Sequence, residues 1–170
     1  TTEYIRYPSN FNKVKENLQY YKKMFNDYGN GSITFSPAIQ LLNIHQLDEM
    51  LKWFIDFSDG AWGDKVDVSW MAQVWYPRIC NYDTAPRKYR LMVADKLEKS
   101  VDYFEQYKGI STFYKTQIKN LRTDQLDAKT ELDLQQSFIR YNDTQDKHRK
   151  GNTWRKLLPY LEETLTNSLK

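Results

Sequence analysis

Scarcity marks this 170-residue sequence: it has one cysteine, five prolines and six glycines. A single thiol, Cys80, cannot close an internal disulfide, nor can it supply the several thiolates of an iron–sulfur or zinc site from this chain. It makes a reducing compartment, the cytoplasm, the simplest context. No apolar run approaches the roughly 18 residues of a membrane span, so no membrane partner is expected. No basic stretch is followed by an apolar one as in a secretory leader. An excess of one charge is also missing, with 25 Lys and Arg against 22 Asp and Glu. The two signs interleave, as in "KVKENLQYYKKMFND" and "ADKLEKSVDYFEQYK". That pattern fits solvated helix faces better than the basic stripe of a nucleic-acid binder, so nucleic acid is a disfavoured partner. His45 and His148 lie far apart in different elements, and no Cys, His or acidic cluster with metal-ligand spacing accompanies either, so no metal site is expected.

Aromatic residues, by contrast, are plentiful: five Trp, thirteen Tyr and eight Phe. Such side chains supply the burial that disordered chains lack, and they also suit a binding surface. The length fits one domain.

Hydrophobic spacing divides the chain. Phe11, Val14, Leu18, Tyr21 and Phe25 step by three and four, predicting a helix face that Ser9 or Asn10 can cap. "SITFSPAIQL" (32–41) alternates, with Ile33, Phe35, Ile39 and Leu41 opposite Thr34, Ser36, Ala38 and Gln40, which predicts a strand interrupted by Pro37. Asn43 and Gln46 have capping-box spacing before a helix buried through Leu47, Met50, Leu51, Phe54 and Ile55. "VDVSWMAQVWYP" (66–77) alternates again. Residues 32–76 therefore read strand–helix–strand, with a connection long enough for a parallel crossover.

Beyond that point helices are expected, on the stripes Tyr89–Val93–Leu97–Val101–Phe104 and Ile110–Phe113–Tyr114–Ile118–Leu121, with Gly109 between them. A short helix over Leu134, Phe138 and Tyr141 precedes a charged loop, "NDTQDKHRKGN", and a last helix carries Trp154, Leu157, Leu158, Leu161 and Leu165. Two parallel strands do not make a stable sheet, since three or more are usually needed. The missing strands are expected upstream.

Four stretches, in order, resemble radical S-adenosylmethionine (radical SAM) proteins of the twitch type. "EYIRYPSNFNKVKENL" (3–18) resembles the segment after a Ser-(Ile/Leu)-Asp-Gly barrel strand. "ITFSPAIQLLNIHQLDEMLKWF" looks like the next strand and helix. "VWYPRICNYDTAPRKYRLMVADKLEK" is similar to a late strand ending in Tyr-Pro or Trp-Pro. "FIRYNDTQDKHRKGNTWRKLLPYL", with Asp146 and Arg149, looks like the C-terminal segment.

The resemblance implies an α/β fold: the C-terminal part of a partial (β/α) TIM-like barrel with about two parallel strands over 1–83, and a mostly helical extension over 84–170, together one compact unit. The family's Cys-x-x-x-Cys-x-x-Cys is not in these residues. S-adenosylmethionine and a 4Fe-4S cluster would therefore belong to the parent enzyme, and this chain alone should bind neither. Its partner would be the missing N-terminal half, and the substrate is unknown.

Barrel enzymes place chemistry at the C-terminal ends of strands. On that expectation Ser36, Gln40, Asn43 and Arg6 fall on the cofactor side, and Gln73 and Trp75 on the substrate side; no catalytic residue is assigned. Against those roles, helix capping is the favoured reading of Asn43 and plain core that of Trp75. Arg6 can reach a carboxylate or pair with Glu3 or Asp27, while Asp146 and Arg149 suit a structural pair. The alternative function is a mostly helical protein-interaction module with aromatic and basic faces.

Overall fold

The computed structural model describes residues 2–6, 10–28, 38–57, 72–149, 151 and 153–169. Helix α1 spans Thr2–Ile5 and α2 spans Phe11–Tyr28. Asn10 opens α2, its Oδ1 accepting from the N–H groups of Asn12 (3.0 Å) and Lys13 (3.2 Å). The other capping candidate, Ser9, lies outside the described residues. Strand β1 is Ala38–Ile39, and a 3-10 turn over Ile44–Gln46 leads into α3, Leu47–Phe57. Strand β2, Ala72–Gln73, pairs with β1 in parallel, Ala38 opposite Ala72 and Ile39 opposite Gln73.

The expected partial barrel is overturned: the described residues are mostly helical. Their strand content is one two-residue parallel pair, too short for a barrel wall. Of the two alternating stretches, 32–37 and 66–71 lie outside the described residues, and 40–41 and 74–77 are described but not strand. At the upper end of β1 the chain turns where alternation predicted continued strand. The N–H groups of Asn43 (3.1 Å) and Ile44 (2.9 Å) both reach back to the Gln40 carbonyl. Alternation of side chains cannot register such a backbone closure.

The rest of the chain folds as α4 (Arg87–Glu98), α5 (Val101–Glu105), α6 (Lys108–Arg122), α7 (Ala128–His148), α8 (Trp154–Leu157) and α9 (Pro159–Ser168). The single stripe Tyr89–Phe104 is broken at Ser100, whose N–H bonds the Leu97 carbonyl at 3.0 Å. Gly109 does not separate helices but lies inside α6, and the break falls at Tyr107. The expected charged loop after Tyr141 is largely helix. Its polar residues serve the helix itself: Asn142 Nδ2 donates to the Phe138 carbonyl (2.9 Å) and Thr144 Oγ1 to the Arg140 carbonyl (2.9 Å). Asp127 caps the start of α7 by accepting from the Thr130 N–H at 3.0 Å. Beyond its end, Gly151 takes φ +117°, a left-handed conformation that side chains disfavour.

The core forms where α4 and α6 pack together. Val93, Leu97, Tyr114 and Leu121 join Leu47 and Leu51 of α3, Phe138 of α7, and Trp154 and Leu161 of α8 and α9 in one apolar cluster. Tyr114 buries its ring 4.5 Å from that of Phe104 and donates its hydroxyl to the Leu97 carbonyl at 2.8 Å. Arg90 is 2% exposed yet fully engaged. Its guanidinium donates to the carbonyls of Ala85, Leu121 and Thr123 and to Asp124 Oδ1. That cation holds together the start of α4 and the end of α6. The stripe read on α2 is less covered than its spacing predicts: Val14 is 42% and Tyr21 47% exposed.

Candidate functional site

Parallel strands expose ligand-binding groups beyond their carboxyl ends. Gln40 and Gln73 stand at those ends of β1 and β2. The ladder closes with Val74 N–H on the Ile39 carbonyl (2.7 Å) and Leu41 N–H on the Cys80 carbonyl (2.8 Å). Asn43 is committed to this backbone: its Oδ1 accepts from the Gln40 N–H (2.8 Å) and its Nδ2 donates to the Ala38 carbonyl (2.9 Å). It makes no side-chain cap on the turn that follows, so the expected capping box is not formed. Gln73 donates through Nε2 to Asn81 Oδ1 at 2.6 Å. Trp75 is not core but 58% exposed, with the Arg78 guanidinium 5.9 Å from its ring centre. Arg6 is exposed, at the other end of the described chain order, and Ser36 lies outside the described residues.

Two short 3-10 turns, Arg78–Cys80 and Tyr82–Thr84, follow β2 and build a buried polar loop. Arg78 Nη2 bonds Asp83 Oδ2 at 2.9 Å, and Thr84 Oγ1 donates to the Arg78 carbonyl at 3.1 Å. Asn81 Oδ1 also accepts from the Asp83 N–H at 3.1 Å. Asn81 and Asp83 are 0% and 2% exposed. Three of the loop's polar atoms nonetheless lack a hydrogen-bond partner: Arg78 Nε, Asn81 Nδ2 and Asp83 Oδ1. Burial pushes the Asp83 carboxyl upward, opposed by the nearby Arg78 and Arg90. Tyr82 donates to Gln117 Oε1 at 2.7 Å, and burial pushes its hydroxyl up to about 12. Sequence reasoning missed Asn81 and Asp83, since no periodicity covers them. The one available signal was a polar stretch held between Pro77 and Pro86.

A second polar constellation joins the two ends of the chain. Tyr4, 6% exposed, donates to Asp146 Oδ1 at 2.8 Å and lies 3.3 Å from Asn142 Oδ1. The Arg149 guanidinium lies over the Tyr4 ring, 4.3 Å from its centre. The expected pair Asp146 and Arg149 thus act together on Tyr4.

The residues present do not fit an iron–sulfur cluster. One thiol is available, burial pushes it up, and among the described residues no three His, Cys, Asp or Glu side chains come together. His45 is held neutral, lowered to about 4 by burial and then by the Lys96 charge. Lys96 itself bridges the His45 carbonyl (2.6 Å) and Glu49 (2.9 Å), tying α4 to the start of α3. Among the described residues, no helix is long and apolar enough to cross a membrane. No protein-family model, curated protein or solved structure matches this chain.

Proposed function

We propose that the chain is the downstream part of a radical SAM enzyme: a helical body that supplies adenosine-side and substrate-side contacts to a cluster-bearing polypeptide. The observation carrying this reading is that the stretches resembling the family meet pairwise. Tyr4 of the first is bonded to Asp146 of the fourth at 2.8 Å. The second and third meet where the Val74 N–H bonds the Ile39 carbonyl (2.7 Å) and the Leu41 N–H bonds the Cys80 carbonyl (2.8 Å). This reading asks this chain for Gln40, Gln73 and Trp75 near the strand ends, and it asks nothing of Cys80 as a cluster ligand. The cluster and S-adenosylmethionine would be held with the partner polypeptide's three thiolates, which have no counterpart among these residues.

The test is anaerobic reconstitution of the polypeptide encoded by the whole reading frame, with iron, sulfide and S-adenosylmethionine. Reductive release of 5′-deoxyadenosine supports the reading. Its absence from a folded, iron-loaded preparation rejects it.

The exposed side of α2 favours a second reading, a protein-interaction module. Tyr20 is 66% and Tyr28 75% exposed, beside Val14 and Tyr21, among Lys13, Lys15 and Lys23. Aromatic side chains, Tyr among them, are enriched at protein interfaces. Substituting Tyr20 and Tyr21 by Ser would abolish partner capture under this reading and leave the melting curve unchanged.

A further inference from the structure

We infer that α2 pairs antiparallel with α2 of a second copy of this chain, through the ridge Val14, Tyr21 and Tyr28 and with Lys13 opposite Asp27. Residues seven apart fall on nearly the same line of a helix, and α2 carries two apolar lines side by side. Phe11, Leu18 and Phe25 form one, and all three are half-buried. That line faces α3: Phe11 meets Trp53 with ring centres 5.8 Å apart, and Lys22, next to it round the helix, bonds the Phe57 carbonyl at 2.6 Å. Val14, Tyr21 and Tyr28 form the other line, and all three are exposed. Asn17 and Met24 fall between them at the spacing that completes a helix-pairing seam. Tyr21 is braced within the ridge by Tyr20 at 5.9 Å and Phe25 at 6.4 Å.

Charge selects the occupant. Lys13, Tyr20 and Asp27 also step by seven, all exposed, and border the ridge on the side away from α3. Charges flanking a seam set which helix pairs with it and in which direction. In an antiparallel pair with Val14 of one copy beside Met24 of the other, Lys13 stands opposite Asp27 at both ends and Tyr20 meets Tyr20 at the centre. A single two-fold operation satisfies both ends, as a contact between identical surfaces requires. A parallel pair would set Lys13 level with Lys13 and Asp27 level with Asp27. Opposite charges at equal distances from Tyr20 make this face complementary to itself.

The inference rests on the reading of α2 as an interaction face and needs neither cluster nor cofactor. One 18-residue helix per copy makes a small interface. The dimer should therefore be weak, with a dissociation constant on the order of 10 μM. Sedimentation equilibrium of the full chain at low salt, at concentrations on either side of that value, should show a monomer passing into a dimer.

Lys13→Asp and Asp27→Lys each place like charges at both ends, and each should weaken the dimer about tenfold. Both suit the helix dipole, with an acid near the start of α2 and a base near its end, so neither should lower the melting curve. Combining them in one chain should restore the dimer, and mixing the two single variants should give a heterodimer tighter than either homodimer. A chain that stays monomeric throughout overturns the inference. A dimer indifferent to the single substitutions also overturns it, because its contact then lies elsewhere. In either case, loss of partner capture on substituting Tyr20 and Tyr21 would leave the interaction-module reading standing, so the two failures are distinct.

Discussion

The Tyr4 hydroxyl donates to Asp146 Oδ1 at 2.8 Å across 142 positions of the chain. The bond fastens a four-residue helix to the last turns of α7, with the Arg149 guanidinium covering the ring. Removing only the hydroxyl isolates its contribution. Tyr4→Phe keeps the ring beneath Arg149 and should cost about 1.5–3 kcal/mol, the value of a hydrogen bond to a charged group. Urea denaturation should show a lower midpoint at unchanged slope. An unchanged midpoint would mean that α1 is not fastened there.

Arg90 is the most connected cation of the core. Arg90→Met preserves much of the apolar stem but strands the carbonyls of Ala85, Leu121 and Thr123. Removing one partner of a buried charged network costs about 3–5 kcal/mol. Arg90→Lys should recover little, because an ammonium cannot span the same acceptors as the planar guanidinium. Comparing the two variants in thermal unfolding checks this. Full recovery by Lys would contradict the role given to the fork geometry.

Asn43 makes a local contribution that replacement exposes. Asn43→Ala frees the Gln40 N–H and the Ala38 carbonyl together, and should lower stability by roughly 1–3 kcal/mol. Hydrogen exchange at the Gln40 amide should accelerate selectively. Equal protection in both proteins would show that the side-chain bond does not hold the end of β1.

Protonation should couple to stability at both ends of the pH scale. His45, lowered to about 4 by burial, binds its proton more weakly in the fold than in the unfolded chain, at about 6.5. Its contribution is complete above about pH 6.5 and is lost as pH falls towards 4. Glu49, Asp48 and Lys96 face it, and the carboxylates oppose the shift. His45→Gln should flatten the urea midpoint over that interval.

At the alkaline end, burial raises Tyr4, Tyr82, Tyr89 and Tyr114, with Tyr82 reaching about 12. The native state then keeps protons that the unfolded chain loses from about pH 10, so stability should fall as pH rises through and beyond that value. Tyrosinate absorbance should appear together with unfolding rather than before it.

The helical part of the fold was legible where apolar spacing coincided with burial. Val93, Leu97, Tyr114, Ile118, Leu161 and Leu165 fall on predicted stripes and lie in the core. Spacing failed where polar contacts decide. Asn142 and Thr144 look like loop residues in a charged stretch, yet both bond carbonyls one turn back within α7. The stripe of α2 satisfies the same periodicity as those of the core helices, but spacing does not say what covers a face. Alternation over 32–41 and 66–77 marked where two strands pair in parallel, and overstated how much of those stretches is strand among the described residues.

The site was legible in part. Alternation indicated only position along the chain: Gln73 ends β2 and Gln40 follows β1. Their engagement with Asn43 and Asn81 depends on turns three to eight residues away. Asp83 and Asn81 carry no pattern; their burial becomes visible only when two 3-10 turns fold them under Arg78.

The most direct measurement is 5′-deoxyadenosine formed by the anaerobically reconstituted product of the whole reading frame, supplied with S-adenosylmethionine and a reductant. The radical SAM proposal predicts release of 5′-deoxyadenosine that depends on an iron-loaded Cys-x-x-x-Cys-x-x-Cys motif outside these residues. A folded, iron-loaded product that leaves S-adenosylmethionine intact, or a reading frame without that motif, would contradict it.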